Sequence, residues 1–265
     1  MLYNNSKIKI KVDLRIFLLF SALNICGYND ENDKKGMSKI RIFIRNSLKS
    51  EQAKLSELKE YFAKNEPWKL SWRILHFNNP PRMTIKIKDW YTKSLTKEDI
   101  RFLNVLRKLY LTNKFVTARK IANPYYLKEI KGYRNKLNKE YQNLLDWLPI
   151  TSYPFKTVIV LPNLLDAHWR GFAPMIGGTL FIVMGPSGNK SPSKLFRHEL
   201  LHGIFSKNNK DKFVQCVWAK INSNQNIEKL EQNIKTEYLV KKIEKLYQNG
   251  IKKEKINKEI LLILI

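Results

Sequence analysis

Apolar residues follow two textures along the chain. Up to about residue 148 they recur mostly at helical spacing, and beyond Leu148-Pro149 short β-branched runs alternate with helical stretches. Residues 16–27 form an apolar run that reads as a first core helix. Lys7, Lys9 and Lys11 precede it as in a secretory signal, but the run is short, Asp13 interrupts the basic approach, and no small-x-small cleavage site follows. The balance favours a core helix, and a cytoplasmic chain over a secreted one. No stretch reaches the roughly 18 apolar residues of a membrane span. Residues 38–65 read as helical, with Ile40, Ile42, Phe43 and Ile44 followed by Leu55, Leu58, Tyr61 and Phe62. Trp68, Trp72, Ile74 and Leu75 predict a short helix that Asn78-Asn79-Pro80-Pro81 must end. Residues 84–87 read as a strand, Thr96 as the N-cap of a helix through Leu111, and Asn123-Pro124 as the start of a long helix towards Trp147. The Trp and Tyr residues of these helices are expected in the core.

In the second texture, residues 157–161 predict a strand, and residues 177–186 another, bounded by glycine and proline. Ser191-Pro192 reads as an N-cap followed by proline at the first helical position, which starts a helix reaching about Phe205. A polar, lysine-rich loop with Asp211 follows, then an apolar helix or strand over 213–221. Residues 227–234 and 236–248 predict two helices with a break near Lys235, closed by Gly250. The tail ends in a short apolar run at 260–265. These elements predict an α+β fold: a mainly helical region over 1–148, then a small sheet with helices over 149–265, or the two as one continuous domain.

Chemistry is concentrated in Phe196-Arg197-His198-Glu199-Leu200-Leu201-His202. Two of the 4 histidines of the chain stand here, four residues apart and thus on one helix face, where both imidazoles can meet a single metal ion. Glu199, one step round the helix, can take a proton from a water on that ion and return it to a leaving group. Leu200 and Leu201 give the turn between the histidines an apolar side suited to burial. His168 lies in a loop between the two strands and is a weaker candidate for binding the reacting group; His76 reads as structural.

This H-E-x-x-H motif, with an apolar strand just before it, resembles the gluzincins, the thermolysin and aminopeptidase-N type of zinc peptidase. The resemblance implies one Zn2+ per chain, a peptide or protein substrate, and a third metal ligand on a later helix. Glu237, in Thr236-Glu237-Tyr238-Leu239-Val240, matches that ligand best, although 34 residues separate it from His202, a longer gap than in thermolysin-like enzymes. Spacing alone leaves Glu228, Glu231 and Glu244 as rivals; a rigid helix favours Glu237 over Asp211 in its loop. In such peptidases a strand at the sheet edge pairs with an extended substrate, which assigns Gly178, Thr179, Leu180 and Phe181 to substrate binding. More narrowly, the chain is similar to a bacterial family of predicted metallopeptidases catalogued as a domain of unknown function. That similarity rests on Val12-Asp13-Leu14-Arg15-Ile16, Gly27-Tyr28-Asn29, the histidine motif, and the Glu237 segment with Ile243 and Tyr247.

Charge adds a competing class. With 49 Lys+Arg against 23 Asp+Glu the formal net charge is +26, which draws a protein towards nucleic acid or anionic surfaces. Lysine, asparagine and isoleucine are abundant throughout, as an AT-rich coding sequence produces by itself, and no specific nucleic-acid motif accompanies the charge. The alternative to a zinc peptidase is therefore a catalytically inactive basic binding protein that keeps the fold. Cys26 and Cys216 are the 2 cysteines. They exclude a disulfide framework or a cysteine-built zinc site, and they read as free and buried, with a single disulfide still open.

Overall fold

The computed structural model describes residues 8–29, 36–188, 191–224, 227 and 230–263. The fold is α+β. Strands β1 (Lys9–Ile10), β2 (Thr157–Pro162), β3 (Gly171–Phe172), β4 (Met175–Ile176) and β5 (Thr179–Met184) make one mixed sheet in the order β1-β2-β5-β3, with β4 also on β5. β1 and β2, and β2 and β5, run parallel; β3 and β4 return antiparallel along the other side of β5.

Side-chain alternation in the strands sorts the molecule into two apolar layers. Leu161, Phe181 and Val183 point into a cluster with helices α1 (Leu14–Ile25), α2 (Lys39–Ser47), α3 (Ser56–Lys64), α4 (Pro67–Leu75) and α6 (Lys97–Tyr110). Val158, Val160, Leu180, Ile182 and Met184 point the other way, towards α8 (Pro192–Ile204), α9 (Lys212–Ser223), α10 (Gln232–Gln248) and α11 (Lys253–Ile263). The short helix α5 (Trp90–Lys93) closes the first layer. Helix α7 (Asn113–Trp147), roughly 52 Å long at 1.5 Å per residue, serves both: Phe115, Ala118, Ala122 and Tyr126 pack in the first cluster, Tyr133, Leu137, Tyr141 and Leu144 in the second. Because β1 pairs with β2, residues before and after 148 share one sheet.

Helix α1 is apolar on all sides because it is buried on all sides, from Arg15 to Ile25. Asp13 caps it, accepting from Arg15 N at 3.0 Å and from the Arg15 guanidinium at 2.9 and 2.5 Å. Arg15 Nη1 also donates to the carbonyls of Leu75 and Phe77, which ties α1 to the end of α4. Tyr28 donates to Asp166 at 2.6 Å, and the fully buried Arg41 donates to Asn24 and to the Tyr28 carbonyl. The Val12-Ile16 and Gly27-Asn29 segments are thus anchors of the helical layer. Among described residues no helix is long and apolar enough to cross a membrane.

Several expectations are corrected. The helical stretch over 38–65 is divided by a 3-10 segment, Lys49–Leu55, because Leu48 and Leu55 turn the apolar face between α2 and α3. Residues 84–87 make no strand; Ile85 forms an isolated bridge to Phe77, and the N–H groups of Lys86 and Ile87 both go to the His76 carbonyl. Helix α7 starts at a Thr112 cap rather than at Asn123, so Pro124 lies inside it. Residues 213–221 are helical. No break occurs at Lys235: α10 is continuous from Gln232, Lys235 turns inward to Asn222, and Glu237 sits in the second turn. Of the 227–234 prediction, residues 228 and 229 lie outside the described residues, as do residues 264–265 of the tail. Gly250, at φ +66°, ends α10 as expected. Cys216 is exposed, and both cysteines are free thiols. Trp68 and Tyr125 are about half exposed rather than core.

Candidate metal centre

Helix α8 starts at Pro192, which presets the first turn, although Ser191 makes no side-chain cap bond. The helix reaches the sheet at Gly203. A Cβ there would stand 2.6 Å from Leu180 Cδ2, so glycine lets α8 lie this close to β5 without displacing the Leu180 side chain. Leu200 and Leu201 are fully buried, which fixes the rotation of the helix and turns His198 and His202 towards α10.

His198, His202 and Glu237 converge. The two Nε2 atoms are 3.1 Å apart, and Glu237 Oε2 lies 3.1 Å from His202 Nε2 and 3.4 Å from His198 Nε2. Bonds of about 2.0–2.1 Å to a tetrahedral zinc place neighbouring ligand atoms roughly 3.3 Å apart. The triad therefore has the donor types and the spacing that zinc requires, and all three side chains are partly exposed to a cleft. Glu231 caps α10 and Glu228 lies outside the described residues, so neither is placed in this triad.

Glu244, read from sequence as a rival ligand, has a different position. His198 donates through Nδ1 to Glu244 Oε2 at 3.0 Å, which leaves Nε2 with its lone pair towards the triad. Glu237 and Glu244 are seven residues apart, two turns of α10, and so face the same way; that spacing was the available sign of their joint role. Behind Glu244, Arg197 stands 3.6 Å away, donates to Glu140 on α7 at 2.7 Å, and lies over the Tyr247 ring.

Glu199 is 6% exposed and its carboxylate has no hydrogen-bond partner among the described residues. Burial pushes its pKa up to about 7; the nearby Glu237 and Glu244 charges add to this, and His198 opposes it. Its neighbours divide. Burial depresses the His198 imidazole, but the Glu244 bond and the surrounding carboxylates outweigh it and hold the pKa above the ordinary value. Burial and the adjacent His198 lower that of His202. Burial would raise Glu237, yet its Lys241 partner and the two imidazoles hold it below the ordinary carboxylate range.

Gly171 on β3 covers Glu199 directly: a Cβ on Gly171 would fall 2.5 Å from Glu199 Oε1. Residues Gly171, Phe172, Ala173 and Pro174 form one wall of a cleft of about 410 Å³, Trp68 and Trp72 of α4 line it as well, and His198, Glu199, His202 and Glu237 line the rest. The expectation that Gly178, Thr179, Leu180 and Phe181 present a free edge is therefore corrected. β5 is paired on both sides, to β2 and to β3 and β4, and Leu180 and Phe181 are buried. The Gly177-Gly178 turn, with both residues at positive φ, folds β4 back along β5 and leaves β3 outermost.

Asp211 does not sit in a mobile loop. It is 3% exposed, caps α9, and accepts from Thr151 and Ser152 backbone N–H groups. His168 rests against Gly188, away from the cleft walls. His76 is fully buried, bonded to the Trp72 carbonyl and to Asp89. Sequence reasoning missed the β3 wall and the Trp68 and Trp72 side of the cleft, since neither has a motif. No family model, curated protein or solved structure matches the chain.

Proposed function

We propose that the protein is a zinc-dependent peptidase of the gluzincin type. The observation that carries the reading is the convergence of His198, His202 and Glu237, whose ligand atoms stand at the spacing of neighbours around one tetrahedral ion, beside an unpaired Glu199. A zinc ion held there would supply Lewis acidity and a water of lowered pKa. Glu199 is the general base: with no competing donor, and with a pKa near neutrality, it accepts a proton and returns it to the departing amine. Glu244 keeps His198 in the tautomer whose Nε2 faces the site. Lys241, 2.9 Å from Glu237 Oε1, holds the other carboxylate oxygen so that Oε2 points to the histidines.

The substrate backbone lies along β3, whose outer side is the strand edge nearest Glu199, and adds to the sheet there as an extended segment. Cleavage of a denatured protein by the zinc-loaded chain tests this reading. Wild type is expected to cleave it, and Glu199→Gln to lose at least a thousandfold in rate while it keeps its zinc. Near-normal turnover by Glu199→Gln would reject the assigned base, and a wild type that neither binds zinc nor cleaves would leave the basic binding protein in its place.

A further inference from the structure

The motif and the sheet account for one side of the cleft; the other side belongs to α4. Trp68 is 49% exposed, an unusual setting for the largest apolar side chain, and Trp72 stands one turn further along the same helix face. Both are held in place. Trp68 Nε1 donates to Glu66 at 2.8 Å, and the Lys69 ammonium lies 5.4 Å from the indole centroid. Trp72 packs against the His76 and Tyr91 rings at 4.6 and 4.9 Å, and His76 is in turn bonded to Asp89 and to the Trp72 carbonyl. An indole whose N–H is already satisfied offers its apolar faces and little else. The two tryptophans line the same cleft as Gly171 and the His198, His202 and Glu237 triad.

We infer that Trp68 and Trp72 form an apolar subsite that selects substrates with a large aromatic or aliphatic side chain beside the bond that is cut. The inference rests on the peptidase reading and adds what that reading leaves open, the class of residue recognised. A main chain laid along β3 passes between the β3 wall and α4, so an alternate side chain of the substrate meets the indoles. Burying a leucine or phenylalanine side chain there, in place of alanine, removes enough apolar surface from water for a preference of tenfold or more. Trp68 is the determinant to vary, because it is exposed and its replacement leaves the packed core intact; Trp72 supports it.

Two measurements test the subsite. In the first, peptides that differ only in having Phe, Leu, Ala or Asp next to the cut bond are compared by kcat/KM. Wild type is expected to prefer Phe and Leu by at least tenfold, Trp68→Ala to lose most of that preference, and Trp68→Phe to recover part of it. Cleavage without a preference, or a preference unchanged in Trp68→Ala, overturns the inference and leaves the peptidase reading standing. In the second, binding of N-acetyl-phenylalanine amide and N-acetyl-alanine amide is titrated by NMR, with no turnover required. A preference of fivefold or more for the phenylalanine compound that disappears in Trp68→Ala supports the subsite even if no peptide is cleaved, an outcome that would count against the peptidase reading alone. Equal binding of the two compounds overturns the inference.

Discussion

In the helical layer Asp13 is 4% exposed and accepts three hydrogen bonds from Arg15, whose Nη1 donates to the Leu75 and Phe77 carbonyls. Across the sheet Glu199 is 6% exposed and has no such bond. The Asp13 carboxylate has its desolvation offset by partners, whereas the Glu199 carboxylate borders the cleft and has none. The first layer uses buried charge to hold α1 against α4. The second leaves the Glu199 carboxylate without a hydrogen-bond partner at the wall of the cleft, and its pKa in the metal-free chain is raised.

The largest effect should come from breaking the satisfied pair. Arg15→Ala leaves the Asp13 carboxylate buried without its partner and should lower unfolding stability by about 3–5 kcal/mol in denaturant titration. A loss of under 1 kcal/mol would show that Asp13 finds other donors.

Glu199 should behave in the opposite sense. Its folded pKa of about 7 lies above the ordinary 4.5, so in metal-free protein the folded state holds the proton more tightly than the unfolded chain. The penalty is absent below about pH 4.5, grows as pH rises to 7, and is complete above it. With chelator present, Glu199→Gln should therefore be more stable than wild type above pH 7, by on the order of 1–3 kcal/mol, and equal to it near pH 4. A variant that is less stable at all pH values would mean that the carboxylate is satisfied after all.

Glu244→Gln should weaken zinc binding by about 10- to 100-fold, because it removes the charged acceptor that orients His198. Competition with a chromophoric chelator reads this directly, and unchanged affinity would reduce Glu244 to a packing residue. Gly171→Ala should cost roughly tenfold in kcat and little in zinc affinity, since its methyl displaces the Glu199 carboxylate and leaves the triad alone. Equal losses in both would place the damage in the sheet.

Elements with strong local signals were legible in the sequence. The apolar run of α1, the Thr96 cap of α6, Pro192 at the start of α8 and Gly250 after α10 each depend on neighbours in the chain, and each stands where its residues place it. His198, Glu199 and His202 belong to the same kind, since one helix turn brings them together. Glu237 required a choice among carboxylates that spacing did not make, and only the packing of α10 against α8 brings it to the histidines. What failed to show were relations set by distant partners. β5 reads as a strand in any case, but whether its edge is free depends on β3 and β4 folding back across it. Pro124 looks like a helix start until the tertiary packing of Phe115, Ala118 and Ala122 carries α7 through it.

The most direct test of the account is equilibrium dialysis of the purified, chelator-stripped chain against zinc, with the bound metal counted per folded chain. Wild type should bind one zinc per chain, and His198→Ala, His202→Ala and Glu237→Ala should each weaken that binding by orders of magnitude while retaining the helical circular dichroism of the wild type. A folded wild type that takes up no zinc, or one whose binding survives all three substitutions unchanged, would contradict the assignment of this triad as a metal centre.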